Sequence, residues 1–148
     1  MQAFPHTYTV ATSAQPTGDV VLTSAGLEPL ATAAPAEFGG PGDQWSPETM
    51  LVGTIANCFV LTFRAIAAAS KLAWTSVAVD VQGTLDRVDR VTRFTAFTID
   101  VRLDLPPGAG DAQAHRLLVK AEETCLITRS LNAPVDLRID VRVAEPVA

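Results

Sequence analysis

Apolar and polar residues alternate with a period of two in three stretches of the chain's second half. Val77, Val79 and Val81 share one side, with Asp80, Gln82 and Thr84 opposite. Phe97, Ile99, Val101, Leu103 and Leu105 form a second apolar row, against Asp100, Arg102 and Asp104. Val135, Leu137, Ile139, Val141 and Val143 form a third, against Asp136, Arg138, Asp140 and Arg142. This period places one face of each strand on a core and the other in water. The charged rows alternate in sign, as solvated faces with cross-strand ion pairs do, and they are not the place to look for chemistry. Weaker patterns predict short strands over residues 7–11, 18–24 and 27–31.

Two segments read as helices. "SPETMLVGTIANCFVLTF" (46–63) has Ser46 to cap, Pro47 at the first helical position and Glu48 at the positive end of the dipole. From Met50 to Ala69 this helix is apolar on almost every side, which predicts a central helix over 47–70, covered from several directions. A chain of 148 residues has few elements for that task, so a second subunit is expected to supply cover. The window 50–69 approaches membrane-span hydropathy, but Asn57 and Arg64 interrupt it, and a buried helix is the expectation. After "LPPGAG" (105–110), a second helix is predicted over about 111–131, with Leu117, Leu118, Ala121, Cys125 and Leu131 on its apolar side. The order predicts one α+β domain, 1–148, with two long helices packed on one face of an antiparallel sheet. The Gly- and Pro-rich stretch 33–47 is long for a connection, and reads as a lid or binding loop, or equally as a surface connector.

Charge and cysteine usage narrow the function. The net charge is −5, and no lysine or arginine precedes Arg64, whereas that stretch holds five acids. Nothing forms a basic stripe, so nucleic acid is not an expected partner. No signal peptide is read at residues 1–10, no membrane partner is expected, and two cysteines in such a chain suggest reduced thiols in a cytoplasm. They stand 67 residues apart, with only His6 and His115 as histidines, so neither a CxxC redox motif nor a metal site is expected.

Cys58 lies mid-helix and Cys125 on the inward stripe of the other helix. A lone cysteine on an apolar helix face is usually a small hydrophobe. Two, on inward stripes of different helices, lie where packed helices would bring them near each other, since axes sit roughly 8–10 Å apart. Packing and chemistry both remain open on this reading.

The stretch 46–63, with its Pro-Glu pair and a cysteine ten residues after the glutamate, resembles the OsmC/Ohr family of osmotically inducible and organic hydroperoxide resistance proteins. "AEETCLITRSL" (121–131) is similar to that family's second cysteine segment, and the order of elements also suits it. The resemblance implies an intertwined homodimer with sites at the subunit interface, and thiol-dependent reduction of organic hydroperoxides with no cofactor. Cys58 would be the peroxidatic thiolate, Cys125 the resolving thiol, and Glu48 the carboxylate that orients an activating arginine. A dithiol, small molecule or protein, would be the reductant. Phe38, Trp45, Phe59 and Phe63 are candidates for an apolar substrate wall, with ordinary core packing as their alternative.

The chain departs from the pattern in one respect. Peroxidase members carry their activating arginine in the N-terminal strands, and none exists here. Arg64 is six residues from Cys58, roughly 600° around the helix, and points elsewhere. Arg129, four residues after Cys125, is the candidate substitute, and Thr54 and Thr62 flank Cys58 at four residues either side. Weak activation is therefore expected. The alternatives are a non-catalytic binding protein for an apolar ligand and a thiol redox sensor.

Overall fold

Ser46 opens the first long helix, α1 (Pro47–Ala69), as its sequence predicts. In this computed structural model, which describes residues 2–146, the Thr49 N–H donates to Ser46 Oγ (3.2 Å), and the Ser46 N–H donates to Thr49 Oγ1 (2.8 Å). The exchange is a capping box with threonine in the usual glutamate place. At the other end, Leu72 N–H reaches Ala67 O (3.0 Å) and Lys71 N–H reaches Ala68 O (3.2 Å), with Lys71 left-handed at φ 55. This is a Schellman stop, with a lysine where glycine is usual.

The described residues fall into two compact units, one ending at Leu51 and the other beginning at Val52. In the first, β1 (Ala11–Ser13), β2 (Val20–Thr23) and β3 (Leu30–Thr32) form an antiparallel sheet in sequence order. These strands are shorter than expected; β2 lies within the stretch 18–24, while β1 and β3 are displaced toward the C-terminus, β1 beginning at the last residue of the stretch 7–11. Only Thr32 among them is buried, so no apolar face fixes where pairing begins. The loop after β3 makes a 3-10 turn at Ala36–Phe38 and returns so that Ala33 N–H donates to Trp45 O (3.0 Å). Gly40 is required there, because a Cβ would collide with the Ala34 carbonyl.

The second unit carries the core. Strands β4 (Ser76–Val88), β5 (Val91–Leu105) and β6 (Val135–Val143) form a sheet in that order. Asp89 and Arg90, both left-handed (φ 51 and 65), close the β4–β5 hairpin. The expected antiparallel sheet is in fact mixed, because β6 pairs parallel to β5. A two-residue period reports which face is buried and not strand direction. The crossover through α2 (Asp111–Thr124) returns the chain to run alongside β5. Phe97, Ile99, Val101, Leu103 and Leu105 of β5 are all buried, as their alternation predicts. On the opposite face Arg138 pairs with Asp136 (3.0 Å) and Arg142 with Asp140 (2.7 Å), all well exposed. Such pairs contribute little to stability.

Ile55, Phe59, Phe63 and Ala67 form the buried stripe of α1, four residues apart. Gly83 lets the helix approach the sheet: a Cβ there would lie 2.9 Å from the side chains of Val52, Phe94 and Phe97. By length and composition α1 could cross a membrane, yet its stripe belongs to this core. The expected cover on several sides is not supplied by the described residues, and Leu61 on the outer face is 54% exposed. Helix α2 buries Ala114, Leu118 and Ala121 and ends at Thr124, seven residues before the expected limit. Around this end, hydroxyl side chains bond back to carbonyls three or four residues earlier. Thr124 Oγ1 donates to Lys120 O (2.7 Å), Thr128 Oγ1 to Cys125 O (3.1 Å) and Ser130 Oγ to Leu126 O (2.7 Å).

Candidate functional site: two thiols at the end of the second helix

The early end of α2 decides the setting of both cysteines. Cys125 is not within the helix but caps it, in extended conformation (φ −63, ψ 113). The chain then turns through Leu126 and Ile127 into a 3-10 segment, Thr128–Ser130. Cys125 is wholly buried, whereas Cys58, on the flank of α1, is half-buried. The two thiols lie close enough to shift each other's ionisation, so the pair that the sequence suggested shares one site.

Their environments push them in opposite directions. Burial acts to raise Cys58, but its sulfur is met by the Ile127 N–H, the Cys125 thiol, the Thr62 hydroxyl and the Leu126 N–H. These donors outweigh burial and hold Cys58 below the ordinary thiol range. Thr62 Oγ1 lies 3.9 Å from Cys58 Sγ, which places the hydroxyl four residues downstream beside the sulfur. Burial pushes Cys125 up; the Thr128 N–H and hydroxyl oppose that, and the neighbouring Cys58 adds to it. Of the two, Cys58 is the thiol whose ionisation the surroundings favour.

Cys58 opens onto a groove of about 550 Å³. Leu61, Ala65 and Ile66 of α1 form one apolar wall, with Leu126 and Ile127 opposite. Thr54, Asn57 and Thr62 supply its polar atoms. The turn residues Leu126 and Ile127 were missed by sequence reasoning, which had carried the helix through them. The run of hydroxyl and β-branched residues at 124–130 was the signal for an earlier end.

The other candidates fall in different places. Phe59 and Phe63 are fully buried in the core, Phe63 edge-on to Trp74 at 5.6 Å, and do not line the groove. At 100° per residue they stand roughly 100° and 140° round the helix from Cys58. Phe38 and Trp45, in the first unit, are 59% and 52% exposed. Arg129 is not brought to Cys58: its Nη1 donates to Glu123 O (3.1 Å), and it lines a separate groove with Glu122 and Glu123. Arg64 is exposed. Glu48 sits in the first turn of α1, and its Oε2 is buried with no hydrogen-bond partner among the described residues, as is Gln44 Oε1. No group of His, Cys, Asp or Glu among the described residues is placed to hold a metal.

A family model described as OsmC-like protein matches residues 40–140, and the chain belongs to that family. The match takes in both cysteines and the whole second unit up to the middle of β6. An uncharacterized protein from Bacillus subtilis (strain 168), YmaD, is 27% identical over 128 residues, which cover 84% of this chain and 85% of that one. Among solved structures, an OsmC-like protein of unknown function from Vibrio cholerae superposes with a TM-score of 0.84 at 16% identity, covering 91% of this chain and 99% of its own. A Legionella pneumophila protein described as an organic hydroperoxide resistance protein OsmC and predicted redox protein has a TM-score of 0.73. It is 25% identical, covering 95% of this chain and all of its own.

Proposed function

We propose that this OsmC-like protein is a thiol-dependent peroxidase that reduces organic hydroperoxides through Cys58, with Cys125 as the resolving thiol. The observation that carries the reading is the asymmetry of the pair. The half-exposed thiol is held below the ordinary range and faces an apolar groove, while its neighbouring thiol is buried and held above it. Neighbours described as hydroperoxide resistance or redox proteins support the same direction.

Each step has a group to perform it. The Cys58 thiolate attacks the terminal peroxide oxygen, the O–O bond breaks, and the alkoxide leaves and takes a proton as the alcohol. Cys58 becomes a sulfenic acid. The Cys125 sulfur then attacks the Cys58 sulfur, a disulfide forms, and the sulfenic oxygen departs as water. A dithiol supplies two electrons and two protons to restore both thiols. Leu61, Ala65 and Ile66 favour an alkyl or aryl peroxide over hydrogen peroxide, which has no apolar part to bury. The half-exposed apolar flank of α1 is the surface on which a second copy would pack, and the working unit in this reading is a homodimer.

The test is titration with cumene hydroperoxide and excess dithiothreitol. Many turnovers, abolished by Cys58→Ser, are expected. A single slow equivalent with a Cys58–Cys125 disulfide would make the protein a sensor, and no loss of thiol would make it a binder.

A further inference from the structure

The chain lacks an arginine before Arg64, and no cation is brought to Cys58 among the described residues, yet the sulfur is not left among apolar groups. We propose that the turn following Cys125 is the activating element of this site, the main-chain N–H groups of Leu126 and Ile127 holding the Cys58 thiolate in place of a guanidinium. The proposal rests on the reading of Cys58 as the reacting thiol and says what ionises it.

Three observations converge. Leu126 and Ile127 line the same groove as Cys58. Neither N–H donates to a backbone carbonyl among the described residues, nor does that of Thr128, which acts on the Cys125 sulfur; Arg129 donates to Cys125 O, Ser130 to Ile127 O and Leu131 to Thr128 O. Both unpaired amides meet the Cys58 sulfur. A backbone N–H left unpaired near a protein interior is rare, and one that points at a sulfur is satisfied when that sulfur is charged. The extended conformation of Cys125 turns these two amides toward α1; a helix continued through 127 would have pointed them at its own carbonyls.

The groups around the sulfur leave few rivals for this role. On α1, Thr54, Asn57 and Thr62 are uncharged, and Arg64 is exposed. From the end of α2, Cys125 is the titratable group that faces it, and Glu122, Glu123 and Arg129 line the other groove. A thiol and a hydroxyl add donors, but the amides are fixed by the main chain and need no side-chain ordering.

Replacing one N–H with an ester oxygen tests the proposal directly, by incorporating the α-hydroxy acid counterpart of Ile127 or of Leu126. The readout is the rate of Cys58 alkylation by iodoacetamide against pH, resolved from Cys125 by peptide mass spectrometry, with no peroxide present. The Ile127 ester should move the rising limb of the profile to higher pH and slow alkylation at pH 7 about tenfold, the scale of one hydrogen bond to a charged group. The Leu126 ester should do the same to a smaller extent. An ester at Leu131, which removes its bond to Thr128 O, should leave the profile where it was. Profiles unchanged in folded Ile127 and Leu126 esters would overturn the proposal. If the esters do not fold, Leu126→Pro decides, because Cys125 already has the extended ψ that a following proline requires. A profile shifted toward higher pH then supports the cradle, and an unshifted one sinks it. A shifted profile in a protein that never turns over cumene hydroperoxide would keep the cradle and discard the peroxidase.

Discussion

Removing Cys125 in two different ways separates its two roles. Cys125→Ala deletes both the second thiol and the donor that meets Cys58, whereas Cys125→Ser deletes the thiol and keeps a donor in its place. Neither variant can form the disulfide, so any difference between them belongs to the hydrogen bond. A bond to a charged acceptor contributes about 1.5–3 kcal/mol, and the weak S–H donor belongs near the lower limit. That limit corresponds to about a tenfold change in thiolate population at pH 7, provided Cys58 remains mostly protonated there in the variant. The sign follows from the acid: a thiol held below its ordinary range is ionised at a pH where a free thiol is not, and losing a donor returns ionisation to higher pH. Stopped-flow alkylation with iodoacetamide should therefore show Cys125→Ala about tenfold slower than wild type at pH 7, with Cys125→Ser within about threefold. The gap should close at high pH, once Cys58 is ionised in all three. Because Cys125 is wholly buried, the alanine variant also loses about 1 kcal/mol of stability, the scale for a small core deletion, and rates are to be compared well below its melting temperature. After one equivalent of cumene hydroperoxide, both variants should carry Cys58 sulfenic acid that proceeds to sulfinic acid with excess peroxide. An alanine variant alkylated as fast as wild type at pH 7 would refute the claim that Cys125 helps to hold the thiolate.

Four further outcomes follow from the same geometry. Thr62→Val, which keeps the shape and removes the hydroxyl 3.9 Å from Cys58 Sγ, should slow alkylation at pH 7 about twofold to fivefold, the effect of a long and weak bond; Thr62→Ser should restore it. Arg129→Ala should leave the Cys58 pH profile unmoved, since its guanidinium donates to Glu123 O; a profile shifted by a unit or so (about 1.4 kcal/mol) would show that Arg129 reaches the sulfur in solution. Lys71→Gly should raise the thermal midpoint, gaining about 1 kcal/mol from relief of a left-handed residue at the end of α1. Gly83→Ala should cost about 1–3 kcal/mol by overpacking against Val52, Phe94 and Phe97, read as a lower urea midpoint.

Much of the fold was legible because its long elements obey one rule each. The alternation from Phe97 to Leu105 predicts a strand with one buried face, and those five residues are buried. Ser46 and Pro47 mark the start of α1 to the residue. What was not legible has physical causes. The parallel pairing of β5 and β6 leaves the same two-residue period as an antiparallel pair, so direction was lost. The three N-terminal strands bury almost nothing, and their limits drifted by several residues. Helix α1 is apolar on all sides, so its sequence could not say which stripe the chain buries. Ile55, Phe59, Phe63 and Ala67 do so, which removes the two phenylalanines from the substrate wall and leaves the flank bearing Cys58 open.

The site shows a deeper limit of reading side chains. Searching for what activates a thiol means searching for arginine, lysine or histidine, and on that criterion Cys58 looks stranded. An amide N–H belongs to every residue but proline and has no letter of its own. It acts only where the helix stops making its own bonds, so the information lies in where α2 ends. At that end the left-over carbonyl of Glu122 accepts from the Cys125 N–H and that of Glu123 from Arg129 Nη1, while Thr124, Thr128 and Ser130 bond back to Lys120, Cys125 and Leu126. The same end frees two amides toward α1 and buries Cys125 against Cys58. Had α2 run to Leu131 as expected, Cys125 would still have faced inward, but the amides of Leu126 and Ile127 would have been spent inside the helix. The early helix end is thus what sets two packed cysteines apart, drawing the ionisation of Cys58 to lower pH while burial draws that of Cys125 to higher pH.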